Sequence, residues 1–401
     1  MDRRRFLELS TAAALTPVAA CTTRLPGVAG RPAGVGRAGQ EPARARLRDL
    51  GLAVGELPTG PLNAITDIPG LLVGHTTLIR GPACTGVTAV LPHGGDLVRE
   101  PVAAADFNLN GNGEFTGLGP VRRTGYLAAP ILLTDTGSVG VAYGAALGHM
   151  LAAPTPPHAS PLRPEPVVGE TWGDFLHDTG GRHLGPAHVA AALQGAAGGP
   201  VGEGSVGGGT AMRAFRFKAG MGTASRQVEI EGRDWAVGVL VQANCGRRRQ
   251  LTVLGAPVGR RIDDLLPRRG SGTAGPAAEG NSLLAVVATD APLSPLQLGW
   301  LGKRAALGMA RTGATSTHGS GDLIIALSTG ARGPVRRARQ VERVPSDRVD
   351  PLLLGAVEAT EEAVLNSLTA AATTTGRDGN TIYALPLDRL VEAVRRHRGS
   401  R

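Results

Sequence analysis

The chain has 401 residues and a formal charge of +9; 42% of its residues are apolar, but only 3% are aromatic. That length accommodates one large domain or two ordinary ones, and the apolar share suffices for a sizeable core. So few rings exclude a stacking platform for single-stranded nucleic acid. The basic charge is dispersed, with arginines at both ends such as Arg3, Arg4, Arg5, Arg395, Arg396, Arg398 and Arg401, and reads as a solvated surface without a nucleic-acid partner.

The first residues read as a targeting segment. Asp2-Arg3-Arg4-Arg5-Phe6-Leu7 resembles a twin-arginine export signal. The weakly apolar stretch up to Ala20 is too short to span a bilayer. Val18-Ala19-Ala20-Cys21 has the form of a lipobox with Cys21 as the acylated residue. Residues 1–21 thus predict export to the periplasm or the outer side of the cytoplasmic membrane, with membrane contact only through a lipid anchor. Residues 22–56 are rich in Gly, Pro, Ala and Arg without periodicity and predict a disordered tether. Residues 57–395 predict a single domain. Cys84 and Cys245 offer neither a disulfide framework nor a Cys-x-x-Cys metal site, and read as buried free thiols.

From Pro61 the texture becomes short apolar runs separated by turn residues, as in NAITDIPGLLVGHTTL and TGVTAVLP, which predict paired strands. Residues 108–119, NLNGNGEFTGLG, predict a polar loop. A strand is expected over 130–133, a turn at 135–138, a small-residue helix after it, and a Pro-rich connector over 152–166. Pro186 opens a helix. Residues 213–244 predict strands, with alternation in RAFRFKAG and a buried run in WAVGVLVQ. After Ser282 comes the strand SLLAVVATD. The next helix is capped by Ser294 with Pro295 at its first position and Gly313 past its end. DLIIALS, residues 322–328, is a strand, and two amphipathic helices close the chain. The mixture predicts a layered α/β or α+β architecture.

Familiar nucleophile, zinc and phosphate motifs are missing: no Gly-x-Ser-x-Gly, Ser-x-x-Lys, His-Glu-x-x-His or Walker loop. Gly34-Val35-Gly36-Arg37-Ala38-Gly39 matches a dinucleotide fingerprint, but lies in the expected tether with no strand before it. His75 and His318 lack partners at ligand spacing, so no metal and no cofactor is expected.

One junction stands out. The loose run PRRGSGTAGPAAEGN ends at Asn281, and a core strand begins at Ser282 without a spacer. An ordinary strand start accounts for this; so does cutting between Asn281 and Ser282. In the second case Ser282 Oγ attacks the Asn281 carbonyl, and the ester left by the acyl shift is opened by water. The α-amine so freed has an ordinary pKa of about 7.7–8.0, which gives the adjacent hydroxyl a built-in base. Such a site needs an oxyanion donor, polar support for the hydroxyl, and a substrate-recognition group. Asn244, closing WAVGVLVQAN, suits the first need, or simply begins a turn. Ser320 and Asp322 in HGSGD suit the second, with Gly319 and Gly321 allowing close backbone approach, or form an ordinary Gly-Ser turn. Glu170 beside Trp172 suits the third, holding an ammonium against an aromatic wall.

Taken together, NAITDIPGLLVGHTTL, NGNGEFTGL, VVGETWGDFLHDTGGRHL, EGSVGGGTAMRAFRFKAGMGTASR, VGVLVQANCGRRRQL, NSLLAVVATDAPL, STHGSGDLIIALST and DGNTIYALPLDRL resemble one family. It is the L-aminopeptidase/D-Ala-esterase-amidase (DmpA-like) family, which includes the β-peptidyl aminopeptidases, and the resemblance covers about residues 57–390. It implies a four-layer α/β/β/α sandwich related to N-terminal-nucleophile hydrolases and to ornithine acetyltransferase. It implies self-cleavage between Asn281 and Ser282, with Ser282 as nucleophile, Ser320 and Asp322 as its supporting pair, and Asn244 as oxyanion residue with the Gly321 backbone nearby. Glu170, with Trp172, would bind the substrate's amino group. The implied activity is metal-free release of N-terminal residues from small peptides, amides or esters, in tetramers of αβ units. Some members carry Glu where this chain has Asp322. Three features depart from the family pattern: Trp172 stands where some members carry Tyr, Cys245 where an aromatic is common, and THGSGD differs slightly before Ser320. A self-cleaving acyltransferase of the ornithine acetyltransferase kind and an uncut lipid-tethered binding protein are the alternatives; Ser rather than Thr at position 282 counts against the former.

Overall fold

A computed structural model of the protein describes residues 44–270, 282–333 and 343–400. Cys21 and Asn281 lie outside the described residues. In chain order the strands are β1 (Leu72–Arg80), β2 (Ala83–Leu91), β3 (Val102–Gly111), β4 (Tyr126–Leu127), β5 (Ile131–Asp135), β6 (Val167–Thr171), β7 (Arg213–Ala214), β8 (Phe217–Lys218), β9 (Met221–Ile230), β10 (Arg233–Asn244), β11 (Ser282–Thr289), β12 (Gly321–Arg332), β13 (Thr374–Thr375) and β14 (Thr381–Ile382). The helices are α1 (Leu118–Thr124), α2 (Val139–Leu151), α3 (Pro186–Gln194), α4 (Val258–Arg261), α5 (Pro295–Arg311), α6 (Asp350–Thr369) and α7 (Leu387–Gly399).

A four-stranded sheet runs β1-β2-β5-β6, and a six-stranded sheet runs β4-β3-β12-β11-β10-β9. The period-two alternation of β11 shows how they stack. Leu283, Ala285 and Val287 join the core formed with α5 and α6, among Leu298, Leu301, Ala305 and Leu352. Leu284, Val286 and Ala288 face the other way, into the core between the sheets with Val90, Ile131, Leu133 and Val167. Beyond the four-stranded sheet, Val87, Ala89, Leu132 and Val168 pack against Ala142 and Ala146 of α2 and Val189 and Leu193 of α3. Helix, sheet, sheet, helix: this is the four-layer sandwich expected. Helix α5 starts as its capping residues predict, with Ser294 Oγ accepting from the Gln297 amide at 3.3 Å.

Four features differ from the sequence reading. The expected loop over 108–119 begins as strand: β3 continues to Gly111 because its backbone pairs with β12 down to Gly111 opposite Gly321. The edge strand β6 was hidden in VVGET, whose Gly and Glu weaken a strand pattern. Residues 44–56, expected as part of the tether, belong to the folded body, and the last helix runs past the expected domain end at 395 to Gly399. Residues 44–56 are docked, with Leu47, Leu52 and Val54 buried. Arg48 Nε lies 2.8 Å from Glu362 Oε1, and Glu358 accepts from the amides of Glu56 and Leu57 at 3.0 and 3.1 Å. Both carboxylates are also bound by the fully buried Arg226, at 3.0 Å to Glu358 and 2.7 Å to Glu362.

Candidate active site

Strand register places the candidate residues side by side. Asn244, the last residue of β10, is directly opposite Ser282, the first of β11, and Leu283 is level with Asp322 of β12. Opposed residues share a face, so Asn244 and Ser282 project together toward the inter-sheet side, as Leu284 does. The Gly321 amide donates to Ser282 Oγ at 3.2 Å. Ser320 Oγ donates to Asp322 Oδ2 at 2.6 Å, and the Leu283 amide donates to Asp322 Oδ1 at 2.9 Å. Ser316 Oγ also donates to Asp322 Oδ2. Asp322 is fully buried. That burial pushes its carboxyl above the ordinary aspartate value, and the donors from Ser316, Ser320 and Leu283 oppose the rise.

Asn244 is fixed at both ends of its amide. Its Oδ1 accepts from the Arg213 amide at 3.2 Å, and its Nδ2 donates to the Trp172 carbonyl at 3.0 Å. An amide nitrogen carries two hydrogens, which leaves one for a guest. Cys245, next in sequence, is buried as a free thiol, as is Cys84.

The opposite wall comes from the other sheet. Glu170 ends near the tip of β6, where residues 112–116 lie along that exposed edge. The Thr116 amide donates to the Val168 carbonyl at 2.9 Å, and the Glu170 amide to the Glu114 carbonyl at 3.2 Å. Glu170 Oε1 accepts from the Glu114 amide at 3.1 Å, and Oε2 accepts from Thr136 Oγ1. Burial raises the Glu170 carboxyl above the usual glutamate value, against the pull of those two donors. Gly113 must be small here, since a Cβ would come within 3.1 Å of Glu170 Oε1; one on Gly321 would meet the Asn112 carbonyl at 2.7 Å. Asn112 Nδ2 in turn holds the Gly319 carbonyl at 2.8 Å.

Between these walls lies an open cavity of about 390 Å³ lined by Asn112, Gly113, Thr136, Glu170, Trp172, Asn244, Ser282 and Gly319. Trp172 is half exposed, at 50%, and offers an aromatic face at the rim. The structure therefore gathers Ser282, Ser320, Asp322, Asn244, Glu170, Trp172 and Gly321 in one place. Sequence reasoning missed Thr136, Asn112 and Ser316; the turn chemistry of TDTGS and the Asn-Gly repeat of NGNGEF were the only signals for the first two. A second cavity of about 380 Å³, bordered by Leu91, Pro130 and Met150, lies at the other end of β5 and holds none of these residues. Among the described residues there is no cluster of His, Cys, Asp and Glu placed to hold a metal ion, and no helix long and apolar enough to cross a membrane.

A carboxylate that can receive a cation, a hydroxyl on a strand end, and an amide hydrogen beside it are the parts needed to hold an amino-terminal group and attack a nearby carbonyl. Comparison with known proteins points the same way. The sequence matches Peptidase family S58 over residues 63–382. It is 43% identical over 373 residues to the β-peptidyl aminopeptidase BapA of Sphingosinicella microcystinivorans, covering 88% of this chain and 92% of that protein. A β-aminopeptidase from a Burkholderia species superposes with a TM-score of 0.79 at 39% identity, covering 88% of this chain and 99% of that one. The L-aminopeptidase D-Ala-esterase/amidase of Ochrobactrum anthropi, described as a prototype of the serine aminopeptidases and a variant of the N-terminal-nucleophile hydrolase fold, gives 0.79 at 38%, covering 88% and 98%. Agreement over this much of the folded body, in sequence and in shape, shows that the chain belongs to peptidase family S58 and is an aminopeptidase of the N-terminal-nucleophile serine hydrolase type.

Proposed function

We propose that the precursor cuts itself between Asn281 and Ser282 and that the mature enzyme releases N-terminal residues from short peptides, amides or esters through an acyl-enzyme on Ser282. The observation that carries this reading is the register of three neighbouring strands, which sets Asn244 opposite Ser282 at the cavity and Asp322, hydrogen-bonded to Ser320, level with the next residue, Leu283. In the precursor, Ser282 Oγ attacks the Asn281 carbonyl carbon, the peptide C–N bond breaks as the acyl group moves from nitrogen to oxygen, and water hydrolyses the ester. In the mature enzyme the new α-amine takes the Ser282 hydroxyl proton while Oγ attacks the substrate carbonyl. The free hydrogen of Asn244 Nδ2 meets the oxyanion, a contact of a kind whose loss costs about 10²–10³ in rate. The departing amine collects the proton, and water completes the cycle.

Glu170 receives the substrate's ammonium, with Trp172 as the wall beside it. The two donors to Glu170 hold the carboxylate in place while leaving further lone pairs for the guest. The relatives named as β-peptidyl aminopeptidase and β-aminopeptidase support β-residues as well as α-residues in the released position. The leader with Arg3, Arg4 and Arg5 and the Cys21 lipobox support export by the twin-arginine route and attachment to the outer side of the cytoplasmic membrane, and the family resemblance supports assembly into tetramers of αβ units.

The decisive test is intact mass and N-terminal sequencing of the purified protein, beside Ser282→Ala. The wild type should yield a fragment beginning Ser-Leu-Leu-Ala and hydrolyse aminoacyl amides; the variant should remain uncut and inert. Hydrolysis by uncut Ser282→Ala would remove Ser282 from the mechanism.

A further inference from the structure

We infer that Ser316 is a positioning residue for the reaction: its hydroxyl locks the Asp322 carboxylate so that Ser320 can present only lone pairs to Ser282. This rests on the reading of Ser282, Ser320 and Asp322 given above. Ser316 has φ 48°, the left-handed conformation that disfavours residues other than glycine, asparagine and aspartate. A glycine would sit there without strain, but the chain has a serine, whose hydroxyl has a partner. Its Oγ donates to Asp322 Oδ2.

The same oxygen accepts from Ser320 at 2.6 Å, and the other oxygen accepts from the Leu283 amide at 2.9 Å. An ionised carboxylate only accepts, so while Asp322 is charged the Ser320 hydroxyl hydrogen is committed to it. Ser320 Oγ is then left with lone pairs only, one residue before Gly321, whose amide donates to Ser282 Oγ. The turn that carries Ser316 is itself clamped from β3, where the two hydrogens of Asn110 Nδ2 are shared among the Thr317, His318 and Ser320 carbonyls at 3.0, 3.1 and 2.6 Å. Asp322 is fully buried, so a lost hydroxyl donor is not simply replaced by bulk water.

Without Ser316 the charged form of Asp322 loses one of its stabilising donors, and burial already favours the neutral acid. A protonated Asp322 can donate to Ser320. The Ser320 hydrogen then turns toward Ser282, and the acceptor is gone.

Ser316→Gly separates this role from a structural one, because it removes the hydroxyl and relieves the backbone at once. In the mature enzyme we expect kcat to fall about tenfold with KM unchanged and the fold at least as stable, the loss being that of one hydrogen bond to a charged group. On the acid side, log kcat falls once for the Ser282 amine and steepens where Asp322 protonates. That break should move up by about one pH unit in the variant. Ser320→Ala and Asp322→Asn serve as references. If both references are inactive while Ser316→Gly keeps the wild-type kcat and pH break, the Ser316 inference is overturned and the catalytic reading stands. If Ser320→Ala and Asp322→Asn are fully active, both fail.

Discussion

At Glu170, two hydrogen bonds and burial act in opposite directions on one carboxyl. Burial wins, so the group protonates at a higher pH than an exposed glutamate, above 4.5. Only the ionised form attracts an ammonium, so KM should rise as the pH falls through the raised range of this carboxyl, at a higher pH than for an exposed glutamate. Replacing Glu170 with Gln keeps the shape but removes the charge. We expect KM about 10–100-fold higher near neutral pH, from the loss of a charge-assisted contact, a smaller change in kcat, and no acid limb in KM. Steady-state kinetics across pH with an aminoacyl amide checks all three. Asn244, Ser282 and Asp322 were legible in the sequence because each ends or begins an apolar run, whereas Ser320 and Glu170 stood out only through the family resemblance. Thr136, Asn112 and Ser316 were not legible: each reaches the site through a loop whose path depends on another sheet, and no local spacing records that.

Among the elements, α6 carries the largest concentration of buried charge. Glu358 and Glu362 are matched by Arg226 and Arg48, with Asn63 Nδ2 donating to Glu362 Oε1 at 2.6 Å. Burial alone would raise the Glu362 carboxyl, but Arg48, Arg226 and Asn63 together hold it below the ordinary value of 4.5. Glu362 is thus ionised more readily in the folded chain than in the unfolded one. Its contribution to stability is present above about pH 4.5 and is lost as the pH falls through the lower folded value. Arg226→Met would leave two buried carboxylates short of their partner and should cost about 3–5 kcal/mol, read as a lower urea midpoint at neutral pH. That network was invisible in sequence, since Arg48, Arg226 and the Glu358–Glu362 pair of α6 are far apart along the chain. The alternation of β11 and the cap of α5 were plain because they are local. VVGET escaped notice as a strand because it is short and its pairing partner β5 does most to define it.

For the whole molecule, the folded body begins earlier than composition suggests, since Leu47, Leu52 and Val54 are buried among residues that otherwise look like linker. Burying an aliphatic side chain of this size is worth roughly 1.5–3 kcal/mol before ordering entropy is subtracted. A chain starting at Leu57 should therefore melt several degrees lower than one starting at Ala43, by thermal unfolding at matched pH.

The strand order of the larger sheet carries one more consequence. Cutting before Ser282 leaves β11 and β12 of the second fragment side by side in the middle of the sheet, flanked by β10 of the first fragment on one side and by β3 of the first fragment on the other. Arg226 in the first fragment grips Glu358 and Glu362 in the second. The halves have no flat surface along which they could part, so dissociation and unfolding become the same event. Recovery from denaturation then changes order: a precursor refolds as one molecule at a rate blind to dilution, whereas the severed enzyme must find its other half by collision. A cut at that junction would turn a fold that one chain can regain into one that two chains must reassemble.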